Sequence, residues 1–174
     1  MALTYEPIAT VTAGSGGTTS MAFSSIPQTY TDLLILGRFR TNRNDSYYGN
    51  MSIEFNGLGD GANYATTVIR TLGTATIASF NTTDSMQFGS NTRFNNTNNF
   101  GSACFYITNY TSSNFKSVSI EAISEYNNTD MFPYLVGGRF VNTNAITSIS
   151  FRDRDVNLLL EYSTATLYGI LKTV

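Results

Sequence analysis

Residues 25–40, S-I-P-Q-T-Y-T-D-L-L-I-L-G-R-F-R, constrain the fold more than any other stretch: a proline-centred turn runs into the longest uninterrupted strand signal in the chain. Successive side chains of a pleated strand point to opposite faces. Leu33, Ile35, Gly37 and Phe39 therefore share one face, and Leu34, Leu36, Arg38 and Arg40 share the other. The first face is apolar throughout. The second starts apolar and ends in two arginines, the pattern of a strand running from the buried middle of a sheet toward a wet or partner-covered end. Arg38 and Arg40 are thus candidates for pairing with a neighbouring strand's carboxylate or for contact with a partner subunit.

The same style recurs along the chain. Residues 4–12 are extended with Pro7 near their start, where proline suits an edge strand or a strand entrance, so residues 1–12 are expected to form an amino-terminal arm or edge strand. Further strands are expected at 18–23, 51–55, 64–70, 75–80, 86–88, 103–107, 116–123, 134–141, 147–151, 156–160 and 165–171. Turn signals separate them: Asn56-Gly57-Leu58-Gly59-Asp60-Gly61 is the densest, 91–99 reads as a polar loop, and Arg152-Asp153-Arg154-Asp155 reads as a charged hairpin-like turn. No segment carries a helical period of adequate length, and no Pro/Gly/Ser-rich linker divides the chain. Ten or so short strands at regular spacing predict an all-β fold, a single antiparallel β-sandwich of jelly-roll type spanning residues 1–174.

At 174 residues one domain buries roughly 70% of its unfolded surface, enough for a core without covalent staples. The single cysteine, Cys104, excludes an intrachain disulfide, and its apolar neighbours predict a core or near-core position. Net charge is −2 and charged residues make up 13% of the chain, against about 25% in ordinary domains. The polar surface is therefore mostly Asn, Thr and Ser, which form hydrogen bonds without long-range fields. Neither nucleic acid nor an anionic membrane is an expected partner. Scarce lysine leaves sheet edges poorly guarded, a state tolerated where neighbours cover them. The amino terminus lacks the basic start and apolar core of a signal peptide, which predicts a product made in the cytoplasm.

Histidine is absent, which removes Ser-His-Asp and Cys-His nucleophile activation and the usual zinc sites. Gly14-Ser15-Gly16-Gly17 has Ala13 where a nucleophile elbow needs glycine. Paired carboxylates could run glycoside hydrolysis through Glu54, Glu121, Glu125 or Glu161, but no tryptophan platform accompanies them, and the wet face of a half-buried sheet accounts for such residues. A calcium ion could be held by Asp60 with Asn56 or by Asp153 with Asp155. Neither loop completes the D-x-[DN]-x-[DN]-G pattern, and Asx residues are ordinary turn formers. The expectation is a non-enzymatic chain with no cofactor and no metal. Tyr47, Tyr48, Tyr110 and Tyr162, near expected turns, suit either sugar stacking or a protein neighbour. Neutral, patchy surfaces favour the protein neighbour.

Three segments, Ile26-Pro27-Gln28-Thr29-Tyr30-Thr31-Asp32-Leu33-Leu34-Ile35-Leu36, the turn from Ile107-Thr108-Asn109-Tyr110 to Phe115-Lys116, and Ala165-Thr166-Leu167-Tyr168-Gly169-Ile170, occur in an order and spacing that resemble a group of virion structural proteins of tailed phages, especially those of aquatic bacteria. The resemblance spans nearly the whole chain and brings no catalytic residue. It implies a particle component located in the virion: a capsid decoration (cement) protein, or a tail-fibre or adhesin module binding host polysaccharide. A chain running from Met1 to just past the last strand, with no coiled-coil stalk, favours decoration. The partners so implied are the major capsid protein or other virion proteins, and a homo-oligomer of three or more copies. Tyr5 and Pro7 of the amino-terminal arm and the Tyr47-Tyr48 loop are the expected contacts.

Overall fold

The computed structural model describes residues 4–59, 61–71, 77–83, 85–95, 97–125 and 131–171. Twelve strands are found among them: β1 (Tyr5–Thr12), β2 (Ser20–Phe23), β3 (Asp32–Thr41), β4 (Gly49–Phe55), β5 (Tyr64–Thr71), β6 (Ile77–Thr82), β7 (Met86–Thr92), β8 (Gly101–Ile107), β9 (Lys116–Glu125), β10 (Met131–Phe140), β11 (Ile149–Asp153) and β12 (Thr164–Ile170). A large antiparallel sheet runs β1-β12-β3-β8-β9-β10-β5-β6. A small antiparallel sheet runs β2-β11-β4-β7. Two residues of β3, Arg40 and Thr41, pair in parallel with Asn91 and Thr92 of β7 and join the two sheets along one side. The chain crosses repeatedly between sheets, with β2, β4, β7 and β11 in the small one and the intervening strands in the large one. This is jelly-roll-like winding around a sandwich core.

β3 is the centre of that core. Leu33, Ile35 and Phe39 are fully buried between the sheets, as their alternation predicts. The Phe39 ring lies 5.4 Å from Phe88, 5.2 Å from Phe151 and 6.4 Å from Phe105, so one ring from the large sheet touches rings from both. Edge-to-face and tilted aromatic pairs each add about 0.5–1.5 kcal/mol beyond burial. Glycine at 37 makes this arrangement possible. A Cβ there would stand 2.5 Å from the Phe39 ring, so the ring folds back over a position that only hydrogen can occupy. A second group, Phe55, Tyr64 and Phe140, fills the core further along, where the Tyr64 hydroxyl accepts from Phe55 N and donates to Leu58 O.

Two buried polar groups show how the core ends are sealed. Lys116 is fully buried at the start of β9, and its Nζ donates to the carbonyls of Asn142 and Asn144; burial lowers its pKa. Asp153 ends β11 and is also buried. Its Oδ1 accepts from the amides of Asp155 and Asn157 and from Asn157 Nδ2, so the charged segment 152–155 is closed by an inward carboxylate. Burial raises the Asp153 pKa.

Several expectations are corrected. Residues 156–160 are not a strand: Val156 has φ of 63°, and only Leu159 makes bridges, to Thr18 and Thr41. The expected polar loop at 91–99 begins as the end of β7, with Asn91, Thr92 and Asn95 buried. Of the core and near-core positions expected for Cys104, the structure shows the near-core one. Ala103, Phe105 and Ile107 take the inward positions of β8, which leaves Cys104 half-buried on the outer face.

Candidate functional site

The outer face of the large sheet spans eight strands. Register aligns its outward side chains in rows across the strands. One row passes through Pro7, Tyr168, Leu34, Tyr106, Ser119, Gly137, Thr67 and Asn81. The next passes through Thr10, Thr166, Leu36, Cys104, Glu121, Leu135 and Ile69. Apolar side chains stand out in water here: Leu36 is 46% exposed, Leu135 53% and Ile69 42%. From the Asp32 row to the Arg38 row, the charged side chains among the described residues are Asp32, Arg38, Glu121 and Arg139, two of each sign. The remaining polar groups largely satisfy one another, as in the Thr10–Thr166 and Thr12–Thr164 hydroxyl pairs and the Thr67 to Asn81 bond.

Shallow hollows mark this face. Toward β1, Tyr5, Leu34, Leu36 and Tyr168 line an apolar hollow of about 230 Å3, and Leu36, Cys104, Glu121 and Pro133 border one of about 490 Å3 across β8 and β9. Toward β6, small residues leave a shallow basin of about 670 Å3 over Ala65, Thr67, Ser117 and Gly137, rimmed by Asn81 and Arg139. Cys104 lies between the halves, and its thiol pKa is raised by burial and by Glu121. Tyr106 donates to Asp32, and that hydrogen bond raises the phenol's pKa.

Three expected contact residues fall on this face and three fall elsewhere. Tyr5 and Pro7 pair with Ile170 and Tyr168 on the edge strand β1, and Arg38 sits at the far margin, its Nε donating to Tyr162 O and its guanidinium 5.1 Å over Phe100. Arg40 instead is half-buried where β3 joins β7, with Nε donating to Thr92 O; burial first, and Arg93 second, lower its pKa. Tyr47 and Tyr48 do not stand out from their loop. Tyr47 packs 4.7 Å from Phe94, and Tyr48 packs 5.6 Å from Phe132 beneath the Arg70 guanidinium. Tyr110 is fully buried and donates to Pro27 O, whereas Tyr162 is exposed.

The chemical candidates are dispersed. Glu54 pairs with Arg152 on the small sheet, Glu121 faces out from the large sheet, Glu125 accepts from Asn99 Nδ2, and Glu161 lies in the turn before β12. Asn56 is committed to a loop staple, donating to Ala145 O and accepting from the amides of Thr147 and Ser148. Asp155 pairs with Arg43, and Asp60 lies outside the described residues. Among the described residues no group of three or more acidic or sulfur ligands gathers as a metal site.

Compared with protein-family models, curated proteins and solved structures, the chain matches none. The site therefore rests on its own geometry. Its exposed half was legible only in part: Leu34 and Leu36 on the second face of β3 were the available signal. What the sequence could not supply is which of two apolar faces the small sheet covers.

Proposed function

We propose that this chain is a non-enzymatic structural component of a tailed-phage virion, a capsid decoration protein that grips the assembled shell through neutral and apolar contacts. The observation that carries this reading is the large sheet's outer face, wide, charge-poor and studded with exposed Leu36, Leu135 and Ile69. Exposed apolar patches of this kind on soluble chains mark surfaces that are covered in use. The three-segment likeness to virion proteins, all of it in strands and turns, supports the setting. The mechanism is linkage: a protein that binds only the assembled shell stabilises it by its binding free energy, repeated over many copies. The partner so proposed is the major capsid protein or another virion protein.

The fibre or adhesin reading draws less support, because Tyr47, Tyr48 and Tyr110 are engaged by neighbouring groups and Tyr162 alone of the four stands free at a turn. Gold labelling of the chain on intact virions separates the two. Label over the shell lattice is the expected result. Label confined to the tail contradicts decoration and favours the fibre.

A further inference from the structure

We propose that β6, the last strand of the large sheet, pairs antiparallel with β6 of a second copy about a two-fold axis that passes through Phe80 perpendicular to the sheet. The pairing occupies an edge, stands independently of the decoration reading and leaves the outer face free.

The edges of the two sheets are guarded unequally. Proteins blunt an exposed strand edge with charge, proline, a bulge, shortness or a covering element. β1, at the opposite edge of the large sheet, carries Glu6, Pro7 and a register shift between Pro7 and Ala9. In the small sheet β2 has only four residues, and β7 is joined to β3 at its end and packs against β9 and β10. β6 has none of these sequence devices. Its six residues, I-A-S-F-N-T, hold no charge and no proline and run in unbroken register with β5, from Thr66–Thr82 to Thr71–Ile77. Among the described residues β6 pairs with no other strand.

Self-complementarity names the occupant. A two-fold axis perpendicular to a sheet reverses strand direction and keeps each face, so residues of like parity meet across it. With Phe80 on the axis, Phe80 meets Phe80 on the inner face, and Ser79 meets Asn81 on the outer. Phe80 lies opposite the buried Val68 but is only partly buried itself, beside the core and 5.2 Å from the Arg70 guanidinium. A second Phe80 supplies the missing cross-strand neighbour, and aromatic pairs in that position are favourable. Ser79 and Asn81 are exposed, opposite Ile69 and Thr67, and each offers a donor and an acceptor. Moving the axis to Ser79 or Asn81 would oppose Phe80 with Ala78 or Thr82. With no charge on β6, no like-charge penalty opposes the pairing. β7 of the small sheet lies over β9, β10 and β5, inboard of β6, so the two β6 strands meet ahead of the small sheets. The outer faces of both copies then point the same way. Two-fold pairing departs from the expected oligomer of three or more copies.

Pairing residues 78–82 with themselves uses about 17 Å of edge at about 3.4 Å per residue, which places the contact among weak interfaces. In sedimentation of the free chain across a dilution series reaching about 1 mM, the wild type is expected to dimerise. Ser79→Lys with Asn81→Lys sets like charges opposite each other on both sides of the axis and should raise the dissociation constant about tenfold at low salt. Ser79→Lys with Asn81→Glu sets unlike charges opposite and should restore it to within about threefold of wild type. Both chains should keep the wild-type circular dichroism spectrum, because both side chains are exposed. In the wild type, which needs no substitution, amide exchange in residues 77–82 should slow as concentration rises while that in β1 does not. A wild type that stays monomeric, two charge variants that associate equally tightly, or concentration-dependent protection in β1 and not in β6 overturns the pairing. A monomer that still labels the shell overturns the pairing alone; a dimer that fails to bind shells overturns decoration alone.

Discussion

Single side chains decide how tightly this sandwich closes. Phe39 can reach rings of both sheets because position 37 carries no Cβ. Gly37→Ala should therefore destabilise the fold by about 2 kcal/mol, the cost of overpacking a rigid core, read as a lower urea midpoint with unchanged slope. An unchanged midpoint would show that the ring has another place to go. Asp153 makes a pH-dependent contribution of opposite sense to a paired carboxylate. Burial holds its folded pKa above the ordinary value, so the folded state keeps the proton to higher pH than the unfolded chain does. Below the ordinary carboxylate value both states are protonated and no penalty exists. As pH rises from about 4 toward 7 the unfolded chain ionises first and stability falls. Asp153→Asn retains an acceptor for the Asp155 and Asn157 amides and cannot ionise. Its stability relative to wild type should grow across that window, and a pH-independent difference in urea midpoints would contradict the account.

At the level of strands, position in the sheet sets the order of opening. β3 is flanked on both sides, by β12 and β8, and buries Leu33, Ile35 and Phe39, whereas β6 and β1 close the two edges of the large sheet. Amides of β3 should exchange with solvent only on global unfolding, while those of β6 exchange through local opening; equal protection in both would overturn this ranking. These strands also show what sequence can disclose. β3, β9 and β12 were legible because alternation is strict where one face meets a core and the other does not. Residues 156–160 misled because Val156, Leu158, Leu159 and Leu160 look like an apolar run, yet the inward Asp153 turns the chain and Leu159 enters the core from a loop. Cys104 was placed only as core or near-core because an apolar run does not by itself say which of its alternate members faces inward, and it lies half-buried beside the core. The outer face stayed half-hidden for the same reason: period two reveals two faces and not which one a second sheet will cover.

For the whole molecule, one face of the large sheet builds the core and the other remains available, with little charge to keep it solvated. Leu36→Asp and Leu135→Asp should change monomer stability by less than about 1 kcal/mol, since both side chains project into solvent. Both should abolish association through that face, and shell binding that survives both at full strength would place the grip elsewhere. On the small sheet Arg152 pairs with Glu54. Stabilisation by a decorating protein comes from occupancy of the assembled shell, so its signature belongs to the particle and not to the isolated chain. The rupture temperature of virions assembled with and without this chain reads it most directly. The decorated particles should break at the higher temperature, and equal rupture temperatures would contradict the decoration role.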